Sequence, residues 1–172
     1  DPTSCLPIIL NPDADGDGVA DADDTFPKDK FKAYSIRYPQ PGVATLAFED
    51  NWPYTSDYDM NDLVVDYGMD LILNANAEVV EINGGITLKA AGAAMKNGFG
   101  FMFDGIPAEA VFSAEGSKLS EKLAEMLESG VEANQKMATY VMFNNSFDIL
   151  PQSGGGTGVN TSINGTYREP VE

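Results

Sequence analysis

Histidine is absent from the 172-residue chain, and cysteine occurs once, as Cys5. Without imidazole the chain cannot build a Ser-His-Asp or Cys-His catalytic arrangement, the usual zinc sites lose their main ligand, and the usual pH 7 switch is missing. A single cysteine excludes an intramolecular disulfide. Cys5 is left as a free thiol, an intermolecular link or a lipid attachment point, and Asp1-Pro2-Thr3-Ser4 is a poor context for the last. Bases are scarce, with 10 Lys and Arg against 27 Asp and Glu and a net charge of -17. That balance disfavours nucleic acid, whose phosphates need Lys and Arg to release counterions. Long apolar runs are missing too. The longest, Cys5 to Leu10, contains Pro7 and falls far short of the roughly 20 residues of a membrane span. No Met stands at position 1, so a processed export product or a boundary within a longer chain is expected.

What is present is enough apolar residue, 43%, to bury a core and argue against wholesale disorder. The remaining chemistry is that of carboxylates, and they are unevenly spread. Eight acids fall in residues 1–30, crowded between Asp13 and Asp29. Between Arg37 and Lys89 there is no Lys or Arg, yet nine acids lie there. A solvated acidic face normally carries interspersed base, because like charges repel. Two dense clusters without counter-charge point to a counter-ion from outside the chain.

The first cluster, Asp13 to Asp24, fits the EF-hand loop template. Asp13, Asp15 and Asp17 take positions one, three and five, Gly18 the sharp turn at six, and Val19 offers its carbonyl at seven. Asp21 falls at nine, and Asp24 stands at twelve, where an EF-hand has Glu. Hard oxygen ligands at this density select Ca2+ over softer metals. The bland alternative is a solvated acidic linker, which the spacing disfavours. Neither flank has the amphipathic helices of an EF-hand. The loop, with Phe26-Pro27 after it, resembles the thrombospondin type 3 repeat, in which Asp-rich turns bind calcium without helical arms.

The second cluster joins two expected strands. Thr45 to Phe48 is the shorter one, and Leu63 to Leu73 alternates with a period of two, as a half-buried strand does. The connection holds Glu49, Asp50, Asp57, Asp59, Asn61 and Asp62 with no base, a set able to bind calcium and be ordered by it. The alternative is an Asp/Asn-rich turn bonded to its own backbone. That explains Asp57 and Asn61 but not six acceptors together. Trp52, Tyr54 and Tyr58 read either as a stacking platform for a sugar or as cover over the end of the core, with the Trp-Pro pair favouring the second.

Thr45-Leu46-Ala47-Phe48-Glu49-Asp50-Asn51-Trp52-Pro53, running into Asp57-Tyr58-Asp59-Met60-Asn61-Asp62-Leu63-Val64-Val65-Asp66-Tyr67, resembles the signature of the bacterial LruC-domain family. Lys89-Ala90-Ala91-Gly92-Ala93, Asn97-Gly98-Phe99-Gly100-Phe101 and Val141-Met142-Phe143-Asn144-Asn145 extend the resemblance over about residues 33 to 172. It implies a bacterial exported or surface-associated protein, no established activity, and sheets that continue beyond Glu172. The expected organisation is an Asp-rich calcium segment at 1–32 followed by an LruC-like domain at 33–172.

Further along, Val79 to Ala90 reads as a hairpin or one bulged strand, and Phe99, Phe101 and Phe103 alternate toward a core. Strands are expected at 109–114, 137–143 and Phe147–Leu150. Leu119, Leu123, Met126 and Leu127 predict one short amphipathic helix stopped by Gly130. The fold class is therefore all-β, an antiparallel β-sandwich of jelly-roll or Greek-key type with a single helix. The expected function is a non-enzymatic calcium-binding module, secreted or at the bacterial cell surface, for adhesion or surface architecture. A lipid anchor on the full precursor fits that location. Its partners would be calcium and either a glycan or another surface protein. Alternatives are a carbohydrate-binding module using Trp52, Tyr54 and Tyr58, and a glycoside hydrolase using Asp57 and Asp59 or Glu49 and Asp62.

Overall fold

The structure is a computed structural model and describes residues 11–92, 95–152, 158–165 and 167–172. Cys5 lies outside the described residues. Seven strands are described: β1 Tyr34–Tyr38, β2 Ala44–Phe48, β3 Leu63–Leu73, β4 Val79–Gly92, β5 Phe99–Pro107, β6 Met137–Phe143 and β7 Gly158–Val159. One sheet runs β1-β3-β4-β7, with β2 also paired to β3, and a second sheet pairs β5 with β6. β1 lies antiparallel to β3 with Tyr34 opposite Leu73, and β5 antiparallel to β6 with Phe101 opposite Tyr140. Among the described residues the fold is mostly β, with antiparallel pairing and a single short α-helix, α1, at Ser146–Ile149. No helix among the described residues is long and apolar enough to cross a membrane.

The chain divides into two compact units. One comprises the chain up to Ala44 with Tyr67–Ile86, and the other Thr45–Asp66 with Thr87–Glu172. In the first, Val19, Ala33, Met69, Ile72, Leu73 and Ile86 are buried. In the second, Leu63, Val65, Leu88, Phe143 and Leu150 are buried. Phe99 meets Phe101 edge-on at 4.9 Å and stacks on Phe143 at 6.2 Å, so the alternating phenylalanines build an aromatic row there.

β3 has the bounds expected from its alternation, but Gly68 and Ile72 are buried beside Met69 and Leu73, so strict alternation ends after Asp66. Val79 to Gly92 forms one long strand rather than a hairpin. Three expectations fail. The segment around Leu119 to Leu127 is not helical. Its backbone is taken by distant partners: Lys118 N–H donates to Met142 O, Ser120 N–H to the Asn144 side chain, and Leu127 N–H to Val131 O. A nine-residue helix is marginal in water, and these bonds outbid it. Leu119, Leu123 and Leu127 are left exposed.

The expected strand at 109–114 is replaced by a 3-10 turn at Ala108–Ala110 and irregular chain. Ala108 N–H, just before that stretch, donates to Lys136 O, and Val111 N–H closes the turn on Ala108 O. Phe147 to Ile149 is helical rather than extended, and Leu150 follows as the C-cap. The Asn145 side chain accepts from Phe147 N–H as an N-cap, and Leu150 N–H closes the turn on Ser146 O.

Candidate metal centre

In the Asp13–Asp24 loop the chain turns on Gly16 and Gly18, both at positive φ, which glycine adopts without steric cost. The aspartates bond the loop's own backbone. Asp13 accepts from Gly16 and Gly18 N–H at 2.7 and 3.1 Å, Asp17 from Val19 N–H at 2.7 Å, and Asp24 from Phe26 N–H at 2.6 Å. Asp15 accepts from Asp17 N–H at 3.2 Å. These bonds use one oxygen each of Asp15, Asp17 and Asp24. The other oxygen of each is buried and receives no donor.

Carboxylate oxygens of Asp13, Asp15 and Asp17 gather within 4.8 Å of one another. Burial, then repulsion from Asp17, Asp24 and Asp13, pushes the Asp15 carboxyl above its usual range. Asp21 reaches back across the loop, accepting from Ala14 N–H at 2.7 Å. Val19 is buried and anchors the loop.

The second cluster lies between β2 and β3. Glu49 and Asp62 are only 8% and 5% exposed, unusual for carboxylates without a basic partner. Two groups form there, each within 4.8 Å and sharing Glu49: an inner one with Asp50 and Asp62, and an outer one with the exposed Asp57 and Asp59. Asp62 accepts from Asp50 N–H at 3.0 Å and Glu49 from Met60 N–H at 3.3 Å. Both oxygens of Asp50 are buried and accept no hydrogen bond.

Burial first, then the neighbouring Asp62, raises the carboxyls of Glu49 and Asp50 above their ordinary range. The Asn61 side-chain amide donates to Asp59 and to Thr161 O. Tyr58 and Met60 hold φ of 54° and 55°, a region non-glycine residues rarely enter.

Trp52, Tyr54 and Tyr58 are 71%, 78% and 53% exposed, so they do not cover the core. Beside the inner group a cleft of about 340 Å³ opens between Phe48, Asp50, Asp62, Asn97 and Phe99. Phe48, Asn97 and Phe99 carry no acidic signal, and sequence reasoning missed them as site residues; Phe48 stood only in the Thr45–Pro53 motif, and Asn97 and Phe99 only in the Asn-Gly-Phe-Gly-Phe run. Gly92, also missed, abuts Asp62, where a side chain would collide with it.

No curated protein and no solved structure matches the chain. A family model described as "Domain of unknown function (DUF4842)" matches residues 77–172, which include Gly92 and the Asn97–Gly100 edge of the cleft but neither acidic cluster. That match covers more than half of the sequence, and the chain belongs to this DUF4842 family.

Proposed function

We propose that the chain is a non-enzymatic, calcium-ordered module of a bacterial surface or secreted protein, acting in adhesion or surface architecture. The observation that carries this is the set of buried carboxylate oxygens without donors on Asp15, Asp17, Asp24 and Asp50. Buried charge without a partner is costly, and a hard divalent cation supplies the missing partner. The acids crowd in threes within 4.8 Å, which suits a shared ion better than the separated acid pair of a glycosidase. The motif from Thr45 to Tyr67 makes the domain LruC-like, with the matched family segment as its later part. Extracellular calcium, at millimolar levels, would keep even weak sites filled.

Thermal unfolding with chelator, calcium or magnesium tests this. Calcium at a hundredfold excess over its Kd adds about 2.7 kcal/mol. At about 2–4 °C per kcal/mol that is a rise of roughly 5–10 °C. Magnesium, which demands tighter octahedral geometry, should restore little of it. Equal melting in chelator and in calcium overturns the reading. The exposure of Trp52, Tyr54 and Tyr58 favours carbohydrate binding as a second reading, under which Trp52→Ala abolishes glycan retention while leaving the melting temperature in place.

A further inference from the structure

The cleft beside the inner carboxylate group combines chemistries that a structural ion alone does not require. One end is Asp50 and Asp62, the two acids that join Glu49 in the inner group. Its walls include the rings of Phe48 and Phe99, 5.9 Å apart and tilted by 56°. Phe48 is 41% exposed although apolar and at the end of a strand. Gly98 and Gly100 leave the adjoining surface as bare backbone. Asn97 is held at the edge, its amide donating to Asp62 O at 3.3 Å. No basic side chain is among the residues that line the cleft.

Beyond the acidic cluster itself stands the state of Asp50, whose two oxygens are both buried and accept no hydrogen bond beside this opening. Calcium takes six to eight oxygens, more than three carboxylates supply unless each binds through both of its own. Coordination positions would then remain on the open side. Three carboxylates around one divalent ion leave excess negative charge, which favours a ligand with paired neutral oxygens close together and an apolar face for the rings. A pyranose with adjacent hydroxyls has both. The cleft volume, at the small end of ligand pockets, limits the ligand to one or two sugar rings.

We propose that calcium held by Glu49, Asp50 and Asp62 binds the vicinal hydroxyls of a pyranose lying against Phe48 and Phe99. The proposal rests on the calcium reading above and places the sugar in the cleft rather than on Trp52.

The test pairs calcium calorimetry on the full chain with saturation-transfer NMR on methyl pyranosides of gluco, manno, galacto and fuco configuration. At least one sugar should show transfer in calcium and lose it in chelator. Phe48→Ala should weaken that sugar about tenfold, the loss of one aromatic contact, with calcium titration unchanged. Asp50→Asn should lose the inner calcium and the sugar together, and Trp52→Ala should retain both.

Calcium binding without transfer from any of the four sugars overturns the proposal and leaves the calcium reading standing. Transfer that persists in chelator, or survives Phe48→Ala undiminished, also overturns it. Absence of any calcium heat defeats the underlying reading, and the proposal with it.

Discussion

Gly92→Ala probes the second cluster without touching a carboxylate. Gly92 closes β4, and its N–H donates to Asp62 O at 2.8 Å. A Cβ added there would stand 2.7 Å from both Cα and Oδ1 of Asp62 and 2.8 Å from Oδ1 of Asn61. Ordinary contact begins near 3.4 Å, so the overlap is large, and one of the atoms struck is backbone. Asp62 cannot retreat without stretching its bond from Gly92, and its side chain cannot turn away without losing Asp50 N–H. Overpacking of this kind costs about 1–3 kcal/mol, a fall of roughly 2–12 °C in melting temperature. The displaced carboxylate belongs to the inner group, so calorimetry should lose the calcium bound there and keep that of the Asp13–Asp24 loop. A variant that melts and titrates calcium like the parent refutes both the close approach and the role of Asp62.

The Lys32–Glu81 pair, at 2.5 Å, sets a pH window. Lys32, then Asn83, holds the Glu81 carboxyl below its ordinary 4.5, so that stabilisation is present above pH 4.5 and lost as pH falls through the lower folded value. Glu81 in turn holds Lys32 above 10.5, a contribution present below pH 10.5 and lost as pH rises through the raised value. Denaturation midpoints of Lys32→Met should therefore fall short of the parent by a constant amount between these limits and converge with it outside them; a gap that persists at pH 2 contradicts this. Phe143, 1% exposed and stacked on Phe99, should cost about 3–5 kcal/mol as Phe143→Ala, read by urea unfolding. A loss under 1 kcal/mol would show that the aromatic row does not carry the core.

Periodicity made the long strands readable. β3 and β6 stand at their expected bounds because each has residues that must be buried and a neighbour to pair with, although alternation marked only the first half of β3. The same logic misplaced the helix. Leu119 to Leu127 has helical spacing, but spacing is local, and the backbone of that stretch is bound by Met142, Asn144 and Val131. Nothing in the segment itself announces those partners. α1 was legible in principle, since Asn145 before Ser146 is an N-cap signal, but Phe and Ile nearby suggested a strand. At the candidate site the acids were visible from charge alone. Asn97 and Gly92 were not, because only the tertiary fold brings them to Asp62, and Phe48, although beside Glu49 in sequence, carries no charge to mark it.

The two acidic clusters differ in what an ion would do for the fold. In the first, the aspartates are tied to N–H groups a few residues away, and Asp21 N–H closes the loop on Pro12 O. An ion there orders a local turn whose backbone already has its partners. In the second, Glu49 follows the last residue of β2, Asp62 precedes the first of β3, and Gly92 ends β4 on a bond to Asp62. Three strand ends meet at carboxylates that repel one another, and Asp50 contributes two buried oxygens with no donor. Cancelling that repulsion acts on sheet pairing as well as on the loop, because the groups that would separate are attached to different strands. A calcium ion at Glu49, Asp50 and Asp62 would therefore tie together more of the fold than one at Asp13, Asp15 and Asp17, while the stability each adds would follow its own affinity.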